Sequence, residues 1–194
     1  MHGKRFAASE AHRLDDPARQ LWLPPAEVIA ALCLRAGDTI ADVGAGTGYF
    51  SLPLAQAAGP EGKVYAVDAQ EEMLLLLRQK LDQAACINVE PIRAEADQTG
   101  LPATSCALFF LANLWHEIED RAAVLKEARR VLKMGGRIAI LDWRPDVEPE
   151  PGPPLAHRVD PLQAAADLRS TGFVQVTVAV SCRYSWLVQG DMQP

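Results

Sequence analysis

Apolar and polar positions fall into short blocks whose period switches along the chain. Thr39–Val43 is a compact apolar run, and Lys63–Asp68 is rich in β-branched and aromatic residues, which predicts two strands. Tyr49–Ala58 between them predicts a helix. Glu71–Ala84 places Met73, Leu74, Leu77 and Leu81 on one face, a strong helical pattern. Ile87–Ile92 predicts a strand whose Pro91 suits an edge. Ala107–Leu111 has the composition of a buried strand. Asp120–Leu132 is an amphipathic helix that Gly135-Gly136 is expected to stop, and Arg137–Asp142 is the next strand. Asp160–Thr171 predicts a helix ended by Gly172, and Val174–Val180 with Tyr184–Val188 predict a hairpin. Strands separated by helix-length segments imply a parallel α/β sheet covered on both faces.

Two regions stand outside this alternation. Residues 1–36 predict a helical cap: Asp15-Asp16-Pro17 is a helix start, Pro24-Pro25 breaks that helix, and Ala26–Leu34 resumes it. Arg144–Pro154 holds five prolines and predicts a loop at the carboxyl end of a strand, where open α/β sheets bind ligands.

Composition narrows the function classes. The chain has 194 residues, enough for one domain, with 49% hydrophobic and 23% charged residues. The net charge of −6 argues against a protein built to grip nucleic acid. No apolar run reaches the roughly 18 residues of a membrane span. Lys4 and Arg5 have no apolar segment behind them, so no signal peptide is expected and the expected compartment is the cytoplasm. Cys33, Cys86, Cys106 and Cys182 are isolated and are expected to be reduced, mostly buried thiols. A monomer or a homodimer is expected.

The most informative segment is Asp42-Val-Gly44-Ala-Gly46-Thr-Gly48-Tyr49. A strand enters it and a helix leaves it, and its glycines allow close approach of a ligand to the backbone. A dinucleotide fingerprint would need glycine at 49, where Tyr stands, and the Gly-Lys-Ser/Thr of a phosphate-binding loop is absent. Asp68, 24 residues after Gly44, ends the second strand, the position of an acidic ribose ligand in nucleoside-binding sheets.

These residues, with the Met73 helix, resemble motifs I and II of the class I S-adenosylmethionine-dependent methyltransferases, over roughly residues 10–175. Arg13–Pro17, Leu23-Pro24-Pro25, Leu114–Asp120 and Asp142-Trp143 ahead of Gly152-Pro-Pro154 resemble the small bacterial ubiquinone/menaquinone-type and arsenite-type enzymes. The resemblance implies a Rossmann-like, doubly wound seven-stranded sheet of order 3-2-1-4-5-7-6 with strand 7 antiparallel, as one domain with a core over 37–194. It implies S-adenosylmethionine as cofactor and a small-molecule acceptor; charge and run length give no expectation of nucleic acid or membrane, and without an H-x-x-x-H or a cysteine pair no metal is expected. Gly44, Ala45 and Gly46 would line the methionine end, with Asp42 beneath it. Asp68 would bind the ribose, and Ala69 and Met73 would lie against adenine. Glu95 and Ala96 would contact the adenine edge, although family members often have Gly-Asp-Ala there and Asp97 competes for the role. Asn113 and Leu114 would sit beside the sulfonium.

Methyl transfer needs a base only when the nucleophile carries a proton. His116, after the fourth strand, and Asp142, ending the fifth, are the candidate catalytic residues. His116 is otherwise a helix-entry residue beside Glu117 or Glu119, and Asp142 a loop anchor. Trp143 walls a pocket or packs the proline loop. Arg158 binds an anionic substrate or pairs with Glu148 or Glu150. The N-terminal segment with Phe6, His12 and Arg13 is a lid or a fixed helix. Three other readings compete: an NAD-type oxidoreductase, a non-catalytic S-adenosylmethionine-binding module whose mouth loop 144–154 would block, and a nucleic-acid methyltransferase.

Overall fold

Seven extended runs, most of them too short for helices, find their hydrogen-bond partners in one another. The computed structural model describes residues 6–148 and 151–193. The strands are β1 (Thr39–Val43), β2 (Lys63–Asp68), β3 (Val89–Arg93), β4 (Cys106–Ala112), β5 (Leu132–Trp143), β6 (Phe173–Ser181) and β7 (Ser185–Met192). They form one seven-stranded sheet of order β3-β2-β1-β4-β5-β7-β6. β1 to β5 pair in parallel, and β7 runs antiparallel to both β5 and β6. The helices are α1 (Arg19–Trp22), α2 (Pro25–Leu32), α3 (Ser51–Ala58), α4 (Glu71–Gln83), α5 (Arg121–Val131) and α6 (Pro161–Ser170).

Central strands are apolar on both sides because both sides are covered. Ile40, Val64, Leu108 and Phe110 face Val28, Leu54, Leu74 and Leu77 of α2, α3 and α4. Phe109, Leu111, Ile138 and Ile140 face Val124, Leu125, Ala165 and Leu168 of α5 and α6. The order of strands reverses between β1 and β4, so the crevice at their carboxyl ends opens there. Among the described residues no helix is long and apolar enough to cross a membrane.

Three local expectations are corrected. Gly135-Gly136 does not stop α5. The helix already ends at Val131, Leu132 turns extended (φ −69°, ψ 135°), and β5 starts at once with the glycines inside it. The ladder there shifts register between Cys106 and Leu108, and a Cβ at Gly136 would lie 2.8 Å from the Lys133 carbonyl. Only glycine fits such a bulge. β3 starts at Val89 rather than Ile87, which is 96% exposed. Asn88 holds that entry by donating to the carbonyls of Ala55 and Gly59 at 3.1 and 3.0 Å. The thiols are free as expected, but only Cys106 is buried and Cys33 is exposed.

Candidate active site

The glycine turn leaves β1 and folds back over β2. Gly44 and Ala45 N–H both donate to the Val67 carbonyl, at 2.8 and 3.0 Å. Gly46 N–H donates to Asp68 Oδ2 at 2.8 Å, and the other oxygen of Asp68 accepts from Gln70 N–H at 2.9 Å. Asp68 therefore ties the turn to the start of α4. Gly44 has φ +76° and Gly48 φ +85°. A Cβ at Gly44 would lie 2.7 Å from Leu114 Cδ2, and one at Gly48 would lie 2.3 Å from Leu77 Cδ1. Gly48 thus serves helix packing, while Gly44 is covered by Leu114 and Gly46 by Leu14. Asp42 lies beneath, 2% exposed, and accepts from Ser51 Oγ at 2.6 Å. Burial pushes its carboxyl up to about 7 against that hydrogen bond, and the Asp68 charge adds to the rise.

The other expected cofactor residues gather along the same edge of the sheet. Ala69 is half-buried after β2, and Met73 is buried in the first turn of α4. Asn113 follows β4 at φ +54°, and its buried amide has no hydrogen-bond partner on either Nδ2 or Oδ1 among the described residues. Leu114 lies against Gly44. Ala96 is half-buried, whereas Glu95 and Asp97 are both exposed on the turn after β3, where Glu95 bridges to Gln98.

His116 and Asp142 come together from neighbouring strand ends. Asp142 Oδ1 lies 2.8 Å from His116 Nδ1, and Oδ2 accepts from His116 N–H at 2.7 Å. Trp143 N–H donates to Oδ1 at 2.8 Å. The Glu117 carboxylate stands 3.8 Å from His116 Nε2. Burial pulls the His116 pKa down, but the Asp142 hydrogen bond and the Asp142 and Glu117 charges outweigh it, so the pKa is raised. Burial raises the Glu117 pKa. His116 and Glu117 line a cavity of about 600 Å³ whose other walls include Arg121, His157, Asp160 and Gln163.

Trp143 and Arg158 hold the proline loop. Arg158 donates to the carbonyls of Pro153 and Arg144 at 3.0 and 2.8 Å, and its guanidinium lies 5.7 Å from the Trp143 ring. Trp143 packs on Trp22 at 5.4 Å, and a Cβ at Gly152 would lie 2.7 Å from its ring. Tyr49 faces the N-terminal segment, donating to the Leu23 carbonyl at 2.7 Å under the Arg19 guanidinium.

The N-terminal segment, expected as a lid or a fixed helix, lies over the turn as a strap, and its anchoring partners are what sequence patterning missed. Ala8–Asp15 forms a short 3-10 helix. Leu14 Cδ1 lies 3.2 Å from where a Cβ at Gly46 would be. Asp15 accepts from Thr47 Oγ1 at 2.7 Å and from Lys80 Nζ. Phe6 N–H donates to Glu117 at 3.2 Å, and Gln70 donates to the Phe6 carbonyl at 3.0 Å. The proline-bounded segment was legible, but none of these distant partners was.

The family model described as the methyltransferase domain matches residues 40–136, half of the chain. A demethylmenaquinone methyltransferase of Listeria welshimeri is 34% identical over 116 residues, which cover 60% of this chain and 49% of that protein. A ubiquinone/menaquinone biosynthesis C-methyltransferase of Francisella philomiragia is 30% identical over 124 residues, covering 63% and 50%. The chain thus spans about half the length of the curated relatives it matches. The crystal structure of a SAM-dependent methyltransferase from Aquifex aeolicus superposes with a TM-score of 0.91 at 31% identity, covering 97% of this chain and all of that one. With the sheet order and the glycine turn, these matches show that the chain belongs to the S-adenosylmethionine-dependent methyltransferase family.

Proposed function

We propose that the protein transfers a methyl group from S-adenosylmethionine to a small molecule whose accepting atom carries a proton. One observation carries the reading: Asp142 fixes His116 by two hydrogen bonds at the wall of a cavity beyond the carboxyl ends of β4 and β5. Asp142 is an acceptor for both neighbouring backbone N–H groups, so Nδ1–H of His116 donates to it. Nε2 then keeps its lone pair and can take a proton from the acceptor.

The crevice fits the cofactor by the chemistry of its groups. Asp68, Glu95 and the unpartnered Asn113 Oδ1 are acceptors, as a ligand bearing an ammonium, ribose hydroxyls and an adenine amine requires. When bound, S-adenosylmethionine supplies an electrophilic methyl: the acceptor's electron pair forms the new bond, and the methyl–sulfur pair stays on S-adenosylhomocysteine. Asp68 would hold the ribose, with Ala69 and Met73 against adenine and Glu95 with Ala96 at its edge. Gly44, Ala45 and Gly46 would line the methionine end over Asp42, and Asn113 with Leu114 would flank it. His116 would receive the proton, and Asp142 would orient its ring and stabilise its charge. The strap residue Leu14 would exclude water, which keeps the nucleophile bare and oriented.

Calorimetric titration of S-adenosylhomocysteine, with NADH as control, tests the reading. Wild type binds the sulfur compound at micromolar concentration and does not bind NADH. Asp68→Ala weakens binding by about 1.5–3 kcal/mol, the scale of a hydrogen bond to a charged group. Absence of binding up to millimolar concentration overturns the proposal, and tight NADH binding would favour an oxidoreductase.

A further inference from the structure

We propose that the acceptor is a small organic acid whose carboxylate is held by Arg121 beside Trp115, while its hydroxyl or thiol is presented to His116. The inference rests on the methyl-transfer reading and adds the class of the acceptor.

Arg121 opens α5 and lines the same cavity as His116. Its Nε is buried and has no hydrogen-bond partner among the described residues. Its guanidinium carbon lies 5.6 Å from the ring of Trp115, whose buried indole N–H also lacks an acceptor. Two neighbouring buried donors without an acceptor are rare in a folded protein. Four nearby carboxylates accept from other donors, and the exposed Glu119, which lines a second cavity with Arg121, makes no ion pair with it among the described residues. Glu117 accepts from Phe6 N–H, Asp120 from Ala123 N–H, and Asp160 from Leu162 N–H. Asp167 accepts from Gln163. Among the described residues Arg121 makes no ion pair, whereas Arg130 on the same helix pairs with Glu127 at 2.7 Å. Among the described residues nothing supplies an acceptor to either donor, so the pair is open to an acceptor from a ligand.

The number and shape of the cations choose among anions. One planar guanidinium matches the two oxygens of a carboxylate. The second arginine of the cavity, Arg158, turns its guanidinium to the carbonyls of Pro153 and Arg144. Glu117 and Asp160 line the same space and oppose a phosphate dianion. The cavity, about 600 Å³, suits a ligand of the size of a substituted benzoate or a short mercapto acid.

The test offers matched acceptors with S-adenosylmethionine and measures S-adenosylhomocysteine released. Catechol, 3,4-dihydroxybenzoate and 3,4-dihydroxyphenyl phosphate form one set, and ethanethiol with 3-mercaptopropionate another. The carboxylates are expected to lead in kcat/KM by at least tenfold. Arg121→Gln is expected to lower the carboxylate-to-neutral ratio at least tenfold, through KM rather than kcat, and Arg121→Lys to restore part of it. Benzoate titrated into the wild-type protein, with or without S-adenosylhomocysteine, gives a readout independent of turnover. It binds wild type and is lost in Arg121→Gln, with circular dichroism confirming that the variant folds. Should Arg121→Gln fail to fold, weakened benzoate binding by Arg121→Lys supports the proposal, and wild-type binding by that variant overturns it. Preference for the phosphate or the neutral compounds overturns it, as does benzoate binding that Arg121→Gln leaves intact. Failure of wild type to bind S-adenosylhomocysteine sinks the methyl-transfer reading instead, and benzoate binding still decides the anion site.

Discussion

At the scale of single residues, the site depends on which protonation states the surroundings favour. His116 can accept a proton only when neutral. Its pKa is raised, with burial opposing and Asp142 and Glu117 prevailing. The acid limb of kcat/KM is therefore expected above the unperturbed histidine value of about 6.5, with activity lost as pH falls through it. Asp142→Asn removes the charge that raises the pKa, so the limb moves to lower pH. The amide can also donate to Nδ1 and leave the proton on Nε2, so the plateau falls as well. His116→Ala is expected to cost about 10²–10⁴-fold in kcat. A pH–rate series on these two variants checks both statements. An unmoved limb in Asp142→Asn would remove His116 from the role of base. Asp42 is the counterexample. Its carboxyl is pushed up to about 7 by burial, yet Ser51 and the sheet enclose it, and nothing in the cavity lining includes it. A perturbed group is a candidate for chemistry only where an acceptor can reach it.

At the scale of elements, the strap and the glycine turn are one device. Leu14 stands over Gly46, and Asp15 is bonded to Thr47 and Lys80, so a ligand that reaches the turn must displace or slide under the strap. Lys80→Met removes one anchor without touching the turn. It is expected to speed hydrogen exchange of residues 8–15 and the dissociation of S-adenosylhomocysteine, with β1 and β4 still protected. Exchange mass spectrometry and stopped-flow release measure the two rates, and unchanged rates would mean that the Thr47 bond and Leu14 packing hold the strap without Lys80. Sequence patterning revealed the elements but not these ties. β1, β2 and β4 were legible because strands covered on both faces are continuous apolar runs. The glycine turn was legible because local spacing alone specifies it. Phe6 with Glu117, separated by 111 positions, and Asp15 with Lys80, separated by 65, join polar residues of no special pattern. The Gly135-Gly136 pair misled because glycine signals a helix stop and a strand bulge alike, and only the neighbouring strand's register decides.

At the scale of the whole molecule, the two edges of the sheet are defended unequally. β3 carries Pro91, and its Glu90 pairs with Lys63 of β2 at 2.6 Å. Proline and charge are the usual guards of an open edge. β6 is nine residues long without a charged side chain, and Val180 on it is 67% exposed. Association on gentle heating is expected to start there. Val180→Lys should reduce light scattering through the melt, whereas Glu90→Val on the other edge should raise it. Equal scattering by Val180→Lys and wild type would place the seed elsewhere. The sheet itself was legible as a topology because its order follows from the family resemblance, and no position in it depended on the loops.

The loops divide differently. The far wall of the cavity, from Ala156 to Gln163, lies beyond residue 136, where the match to the methyltransferase domain ends. The stretch shared across the family is inherited with the glycine turn and the strand ends. That wall faces His116 and Arg121, which lie inside the shared stretch. The cavity is thus built from both sides of that boundary, and changes between Ala156 and Gln163 reshape one wall while His116 and Arg121 stay in place. A substrate label passed along the shared stretch travels with only one side of the cavity that would have to honour it.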